Sequence, residues 1–370
     1  MAFRLSAFYF AFFAYGGAYV AYFPLYLVYR GLSPVESAWV LALPPLARIF
    51  APPAWGWLAD RTGAHRAVVA FSCVITATAF AVLPFTGQIA LVIGLMSILS
   101  AGALPIVESI TLGSLAGHHG RYGPIRLWGS IGFIAVVLAG GAWLDFRPVS
   151  TLPAVLAIFS FATFVVALAL PRSGKIQLSP RRVSFQVTPA VRNLLGAGFC
   201  NAVAHGALYA FLSLHLAALG YSGTAIGMLW TLGVLAEIVV FLYLPPLFTR
   251  FSFSAILTVS LGSGIVRFLA IGWAAHELWI VLLAQLLHAA TFGAFHAAAV
   301  AAVHRVSPEG AQARGQTLFS GVTYGAGAAA GLVISGWAWS QGGAAMAFSV
   351  SSTAALVGAF FAAKLRRAGL

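Results

Sequence analysis

Apolar residues run along this chain in stretches of about 20, separated by short polar intervals that hold most of its charges. A stretch of this length, coiled as an α-helix, matches the hydrocarbon thickness of a bilayer. The pattern therefore predicts an all-α membrane protein with twelve transmembrane helices. The predicted spans cover residues 5–29, 38–59, 66–86, 88–113, 126–144, 150–170, 191–219, 223–247, 252–272, 277–303, 315–338 and 344–363.

Positive charges between the spans fall almost entirely on one side of this arrangement, since only Arg30 and Arg147 lie on the other. Cytoplasmic loops carry an excess of Lys and Arg, so the asymmetry predicts that both termini are cytoplasmic. The fifteen residues on the predicted cytoplasmic side are Arg4, Arg61, Arg66, Arg121, Arg172, Lys175, Arg181, Arg182, Arg192, Arg250, Arg305, Arg314, Lys364, Arg366 and Arg367.

The longest polar interval is the basic, proline-punctuated segment 171–190. It predicts a cytoplasmic linker between an N-terminal six-helix bundle over residues 1–170 and a C-terminal six-helix bundle over residues 191–370. The other intervals are short, so they leave no room for a soluble catalytic domain.

Composition narrows the class of protein. Apolar residues make up 61% of the chain and charged residues 7%, with a mean hydropathy of +0.96, whereas a soluble domain holds about 25% charged residues. The net charge of +13 does not indicate a nucleic-acid partner, because the basic residues are scattered between apolar spans. We expect a multi-pass protein of the cell (inner or plasma) membrane whose partners are the lipid bilayer and a small-molecule substrate.

The segment after the second predicted span reads APPAWGWLADRTGAHR. Asp60 stands at a helix end, where its carboxylate could accept hydrogen bonds from a neighbouring helix N-terminus or pair with an arginine. Gly56 is predicted to allow the close approach of two helices, and Gly63 to allow a tight turn. The pattern G-x-L-x-D-R-x-G-x-x-R is formed by Gly56, Leu58, Asp60, Arg61, Gly63 and Arg66.

This segment resembles the loop between the second and third helices of the major facilitator superfamily of transporters. The resemblance implies two bundles of six helices. It also implies a gating role for the loop, which latches the two halves of such a transporter in the outward-facing state.

Ionisable residues at membrane depth cost several kcal/mol and are therefore functional hypotheses by default. Of the seven acidic residues in the chain, only Glu108 and Glu237 lie deep in predicted spans. No Cys pattern for a disulfide or a metal site occurs, because Cys73 and Cys200 stand alone in separate spans. The other ionisable residues within spans are Arg48, Arg126, Arg267, His205, His215, His288 and His296.

In the first half, Glu108 and Arg126 lie on consecutive predicted helices and could pair across the hairpin. Gly129 and Gly132 predict tight packing of the helix that carries Arg126. This arrangement resembles the oligosaccharide:proton symporters around lactose permease. The resemblance implies that Glu108 and Arg126 bind substrate and that Phe133 stacks against it. The alternative is an interhelical pair that fixes packing alone.

In the second half, the same group of symporters carries the proton with a Glu, an Arg and a Lys-x-x-His-x-x-Glu helix. This chain has Glu237, Arg267 and His288 in the corresponding order. It departs from the pattern twice, because Gln285 replaces the Lys and Thr291 replaces the second Glu. By this resemblance Glu237, Arg267, Gln285 and His288 form the proton-coupling set, with Glu237 as the leading carrier and His288 as the alternative.

The whole chain also resembles the phenylpropionate permease group, through AYFPLYLVYRG, YGPIRLWGSIGF and LHLAALGYSGTAIGMLWTLGVLAEIVVF. Arg48 lies at a depth where its head group could reach the cytoplasmic surface. If it faces the cavity instead, it is a fixed cation with no obvious acid partner, and such a charge suits an anionic substrate. His205 is a further candidate for substrate binding.

We therefore expect a monomeric symporter, not an enzyme, that works by alternating access with protons as the coupling ion and no cofactor. The expected solute is an aromatic carboxylate such as 3-phenylpropionate, or a sugar or nucleoside. The alternative is a proton-driven exporter of the same fold.

Overall fold

The computed structural model describes residues 1–115, 122–171 and 186–370. Within these ranges the chain is helical almost throughout and contains no β-strand. Most of the predicted linker 171–190 lies outside the described residues, as do His118 and His119.

The first half of the chain forms seven described α-helices, of which the fourth and fifth lie within a single predicted span. Short 3-10 helices at Leu83–Phe85 and Val149–Thr151 connect some of them. The α-helices are α1 Ala2–Tyr29, α2 Pro34–Thr62, α3 His65–Val82, α4 Ile89–Ser100, α5 Ala103–Ser114, α6 Tyr122–Phe146 and α7 Leu152–Ala167.

The second half contains two π-helical segments, Ala289–Ala294 and Gly321–Gly327, in addition to its α-helices. A 3-10 helix, Leu365–Ala368, follows the last α-helix. The α-helices are α8 Pro189–Ala204, α9 Gly206–Ala218, α10 Gly223–Arg250, α11 Phe253–Ala274, α12 Leu278–Leu286, α13 Phe295–Val306, α14 Gln312–Ser320 and α15 Ala328–Lys364.

Ten helical stretches in the described part of the chain are long and apolar enough to cross a membrane. Helix α2 is not among them, because five prolines and Arg48 lower the hydropathy of its 29 residues. The last stretch, Gln312–Arg367, is 56 residues long. It contains a break in α15, where Gly343 has φ 59° and ψ −149°, a conformation that is essentially restricted to glycine. The chain is thus a helical, multi-pass membrane protein.

Contacts divide the chain into two compact units. The predicted bundles 1–170 and 191–370 differ from these units in two short segments, and that division stays a prediction. Unit 1 comprises Met1–Leu32, Leu46–Ser179 and Ser222–Met228, and unit 2 comprises Ser33–Pro45, Pro180–Tyr221 and Leu229–Leu370.

In unit 1, α1 and α6 pack backbone against backbone. A Cβ atom at Gly132 would collide with the carbonyl group of Phe10, and one at Gly17 would lie 3.0 Å from the carbonyl oxygen of Phe133. Such close approach brings many atoms of two helices into contact, which is the main attraction between helices in lipid. The predicted tight packing of the helix that carries Arg126 is confirmed.

The N-terminus of α10 is capped within unit 1 by an acidic side chain. Asp145, at the end of α6, accepts hydrogen bonds from the backbone N–H groups of Gly223 at 2.6 Å and Thr224 at 2.9 Å. A carboxylate satisfies the free N–H groups of a helix start and is favoured there by the helix dipole.

In unit 2, the start of α2 is fixed by a reciprocal pair of hydrogen bonds. The Glu36 carboxylate accepts from the backbone N–H and the hydroxyl of Ser33, both at 2.8 Å, and the Glu36 N–H donates to the Ser33 hydroxyl at 3.2 Å. This is a capping box. The hydrogen bonds from the Ser33 backbone and side chain hold the pKa of the Glu36 carboxyl below its usual range.

Candidate functional site

The loop after α2 is held by contacts between near neighbours in sequence. Oδ1 of Asp60 lies 2.9 Å from Nε2 of His65, which is buried at the start of α3. The guanidinium of Arg61 lies 5.2 Å from the ring centroid of Trp57. Between α2 and α3 the chain turns at Gly63, whose φ is +66°, so the predicted tight turn is confirmed.

Two expectations for this loop need correction. Apart from its chain neighbours and the backbone of its own helix, no described residue has a heavy atom within 4 Å of the position that a Cβ atom would take at Gly56, so the predicted close helix approach there is wrong. The partner of Asp60 is His65 rather than a helix N-terminus or an arginine. The sequence could have indicated this contact, because a turn at Gly63 brings His65, at the start of α3, back toward Asp60 at the end of α2. Arg66 is half-buried in the first turn of α3.

In unit 1, Arg126 lies against aromatic rings of α1. Its guanidinium carbon is 4.0 Å from the ring centroid of Phe13 and 5.4 Å from that of Tyr9. Glu108 is half-buried and near enough to feel the charge of Arg126. Among the described residues, no carboxylate oxygen of Glu108 lies within 4.0 Å of an Arg126 nitrogen. The expected direct pair is therefore replaced by cation–π contacts.

Phe133 is half-buried and contributes to the contact between α6 and α1. A Cβ atom at Gly17 would lie 3.2 Å from Cδ2 of Phe133. One edge of the phenyl ring is thus occupied by α1.

Arg48 projects from the middle of α2 and lies near Tyr15 and Tyr19 of α1, whose hydroxyl groups interact electrostatically with its guanidinium. Surrounding protein atoms desolvate the guanidinium, yet the side chain keeps accessible surface. The hydroxyl of Tyr19 is buried and has no hydrogen-bond partner among the described residues.

In unit 2, Arg267 is only 1% exposed and is held by neutral acceptors. Nε donates to the carbonyl oxygen of Ala284 at 2.9 Å, Nη1 to Oγ1 of Thr291 at 3.0 Å, and Nη2 to Oε1 of Gln285 at 3.1 Å. The amide of Gln285 in turn donates to the carbonyl oxygen of Leu229 at 2.9 Å. The two residues that depart from the symporter pattern, Thr291 and Gln285, are therefore both ligands of Arg267.

Glu237 lies beside a histidine. Its Oε2 lies 3.9 Å from Nε2 of His288. The imidazole of His205 meets that of His288 edge-on, with 6.2 Å between ring centroids. Nδ1 of His205 donates to the carbonyl oxygen of Asn201 at 2.8 Å, which leaves Nε2 as an acceptor. In the described ranges, this Nε2 and Nδ1 of His288 are buried without a hydrogen-bond partner.

A π-helical segment, Ala289–Ala294, begins directly after His288. A Cβ atom at Gly293 would lie 2.9 Å from Cγ of Glu237, so the segment packs on the carboxylate side chain. π-Helical turns often occur at functional sites because they change the direction of side chains along a helix. The sequence pattern did not reveal this segment.

Known proteins of similar sequence and structure are membrane transporters. A family model described as MFS_1 like family matches residues 2–350. The chain is 28% identical to the maltose permease of Geobacillus stearothermophilus, over 96% of this chain and 93% of the permease. It is 31% identical to the probable 3-phenylpropionic acid transporter of Escherichia coli (strain K12), over 48% of each. The nucleoside transporter NupG shares the fold, with a TM-score of 0.84, 18% identity and 99% of both chains covered.

Proposed function

This chain belongs to the MFS_1 like family, and we propose that it is a proton-coupled symporter of a small organic solute. Its relatives are secondary transporters of the major facilitator type and not enzymes. In this proposal the protein works as a monomer in the inner or plasma membrane, by alternating access. Protons are its coupling ion, and it needs no cofactor.

We further propose that twelve helices cross the membrane. Dividing the long stretch Gln312–Arg367 at Gly343 turns ten apolar stretches into eleven, and α2 makes twelve. An even number of membrane-spanning helices places both termini on the same side of the membrane. The excess of Lys and Arg on the side of the termini supports a cytoplasmic location for both.

The observation that carries the proton-coupling proposal is the contact between Glu237 and His288 beside the buried Arg267. A carboxylate and an imidazole at this distance can share a proton after a small movement. Arg267 makes these three hydrogen bonds to neutral groups, and the carboxylate of Glu237 has the imidazole of His288 beside it. Glu237 is the proton carrier in this proposal, with His288 as its partner and Gln285 as a positioning residue of Arg267.

Substrate binding is assigned to Arg48, Glu108, Arg126 and Phe133 of unit 1 and to His205 of unit 2. Arg48 offers an accessible cation to a carboxylate, whereas Glu108 and His205 offer acceptors to hydroxyl groups. An aromatic carboxylate such as 3-phenylpropionate, or a sugar or nucleoside, is the proposed solute. The relatives named for maltose and 3-phenylpropionic acid support both kinds of solute, a sugar and an aromatic carboxylate.

The proposed gating motif consists of Gly56, Asp60, Arg61, Gly63 and Arg66. Its support is the defined geometry of the loop, in which the Asp60–His65 contact and the turn at Gly63 join α2 to α3.

The decisive experiment is uptake into proteoliposomes of labelled maltose, 3-phenylpropionate and uridine, with and without an inward proton gradient. We expect the wild type to concentrate one of these solutes. Glu237→Gln should keep solute counterflow, which needs no net proton movement, but lose accumulation. Glu309→Gln, which changes an exposed acid, is the matched control and should behave as wild type. A gradient without effect would indicate a uniporter, and outward transport an exporter; either result contradicts the proposal.

A further inference from the structure

Unit 2 contains a cavity of about 680 Å³ between α13 and α14. It is bordered by two histidines on one face of α13, separated by two helical turns. Gln316 of α14 spans part of it, because its amide donates to the carbonyl oxygen of Val300 at 2.8 Å. The lining residues are His296, Ala297, Val300, Ala301, His304 and Gln316.

One lining histidine is connected to the interior of the unit. Nδ1 of His296 lies 2.6 Å from the hydroxyl oxygen of Tyr324, in the second π-helical segment. Glu237 packs against the same stretch as His296, three residues earlier, since a Cβ atom at Gly293 would lie 2.9 Å from its Cγ. The phenol therefore contacts a cavity-lining imidazole on the helical stretch that packs against the proposed proton carrier.

The direct path along the helix is closed to protons. The ring of Phe292 stacks between the imidazoles of His288 and His296, with centroids 5.2 Å and 6.3 Å away and interplanar angles of 12° and 10°. A phenyl ring has no group that accepts or donates a transferable proton. A proton that leaves Glu237 or His288 along this stretch meets a ring that cannot carry it, whereas Tyr324 offers a hydroxyl in contact with His296.

We propose that Tyr324 and His296 form a relay that carries protons between Glu237 and the cavity bordered by His296 and His304. This inference rests on the proposed proton-coupled function and names the exit from its carrier. Neither residue is part of the substrate-binding or proton-coupling set assigned above.

Each transfer in the relay balances. The protonated carboxyl of Glu237 gives its proton to the hydroxyl oxygen of Tyr324, as the original phenolic proton passes to Nδ1 of His296. The imidazolium then releases its Nε2 proton to water in the cavity. In the loading direction, Nε2 of His296 first takes a proton from water in the cavity; Nδ1 of the imidazolium then gives its proton to the phenol oxygen, as the phenolic proton passes to the carboxylate of Glu237.

The relay lies among other ionisable groups that shape its pH dependence. On its own stretch of helix are His288, His304 and Arg305. Those on neighbouring elements of unit 2 are His205 before α9, Tyr209 of α9, Glu237 of α10, Arg267 of α11, Arg314 of α14 and Tyr324 of the second π-helix.

The test uses Tyr324→Phe, which removes the hydroxyl but keeps the ring that meets Phe319 edge-on, and His296→Gln, which keeps a polar side chain that does not titrate. His276→Gln, at an exposed position, is the control. Two rates are measured in proteoliposomes with the solute that wild type concentrates: uptake driven by an inward proton gradient, and counterflow at equal pH on both sides. The pH profile of driven uptake is recorded for each variant.

We expect both relay variants to lose about tenfold or more in driven uptake and to stay within about twofold of wild type in counterflow. Their pH profiles should also change, and those of His276→Gln should not. Equal losses in both rates would mean that the pair only supports packing, and unchanged rates would mean that protons leave by another route; each result overturns the relay. If uptake by the wild type does not respond to the proton gradient, the proposed function itself is wrong; the results for the variants bear only on the relay.

Discussion

Oγ1 of Thr291 accepts a hydrogen bond from Nη1 of Arg267 at 3.0 Å, and both residues are about 1% exposed. A guanidinium at this depth is costly to bury, so each of its N–H groups needs an acceptor. By the resemblance to the symporters, Thr291 stands where an acidic residue is expected. In the structure it has a specific task, because it supplies one of three neutral acceptors to a fixed cation.

Thr291→Val should therefore destabilise the protein by about 1–3 kcal/mol, since an N–H group of Arg267 loses its acceptor in a buried place. Thermal unfolding of purified protein in detergent measures the effect. The matched control is Thr258→Val, whose hydroxyl donates only to the carbonyl oxygen of Ser254 in its own helix, at 2.7 Å. Equal stability of Thr291→Val and the control would show that the hydrogen bond to Arg267 contributes nothing.

Gly132→Ala should destabilise the contact between α1 and α6 by about 1–3 kcal/mol, because the new methyl group would collide with the Phe10 carbonyl and force the helices apart. Gly123→Ala lies in the same helix at a position where, apart from its own helix backbone and its chain neighbours, no described residue has an atom within 4 Å of the new Cβ. This control should be neutral or stabilising by up to about 1 kcal/mol, through helix propensity. Comparing the melting temperatures of the two variants separates the effect of helix packing from that of helix propensity. A Gly132→Ala variant as stable as wild type would contradict the close approach of α1 and α6.

Asp60→Asn and His65→Gln should not be additive, because the two side chains are in direct contact at 2.9 Å. Unfolding of both single variants and the double variant gives the coupling free energy, which we expect to be about 0.5–3 kcal/mol. Arg61→Gln with His65→Gln is the control pair, since Arg61 lies over Trp57 instead. A coupling energy near zero for Asp60 and His65 would mean that water screens their contact.

Gly343→Ala should cost about 1–3 kcal/mol, because its φ of 59° and ψ of −149° are strained for any residue with a Cβ atom. Space is not the cause, as the described residues beyond its own helix backbone and chain neighbours leave the added methyl group unobstructed within 4 Å. Gly16→Ala, inside α1 and equally unobstructed, separates the backbone effect from the addition of a methyl group. If both substitutions leave the melting temperature unchanged, the break in α15 does not depend on glycine.

The chain's apolar stretches determined much of this protein before any contact was known. They predicted an all-helical membrane protein, and a short loop with Asp60, Arg61 and Gly63 indicated the transporter family. Those features are local: a helix in lipid satisfies its own backbone groups, and a turn at Gly63 depends on the conformation of one residue. Gly132 could be interpreted in the same way, because a glycine in a span has little use other than close packing.

Which side chains meet was decided only by the tertiary structure. Sequence reasoning paired Glu108 with Arg126 and expected an arginine or a helix N-terminus at Asp60. In the folded chain Arg126 lies against Phe13, Asp60 contacts His65, and Arg267 bonds to Thr291. Such partners depend on the rotation of each helix about its axis. In a soluble protein the boundary between apolar and polar faces reports that rotation, but in lipid the outer face is as apolar as the core, so the sequence leaves it undetermined.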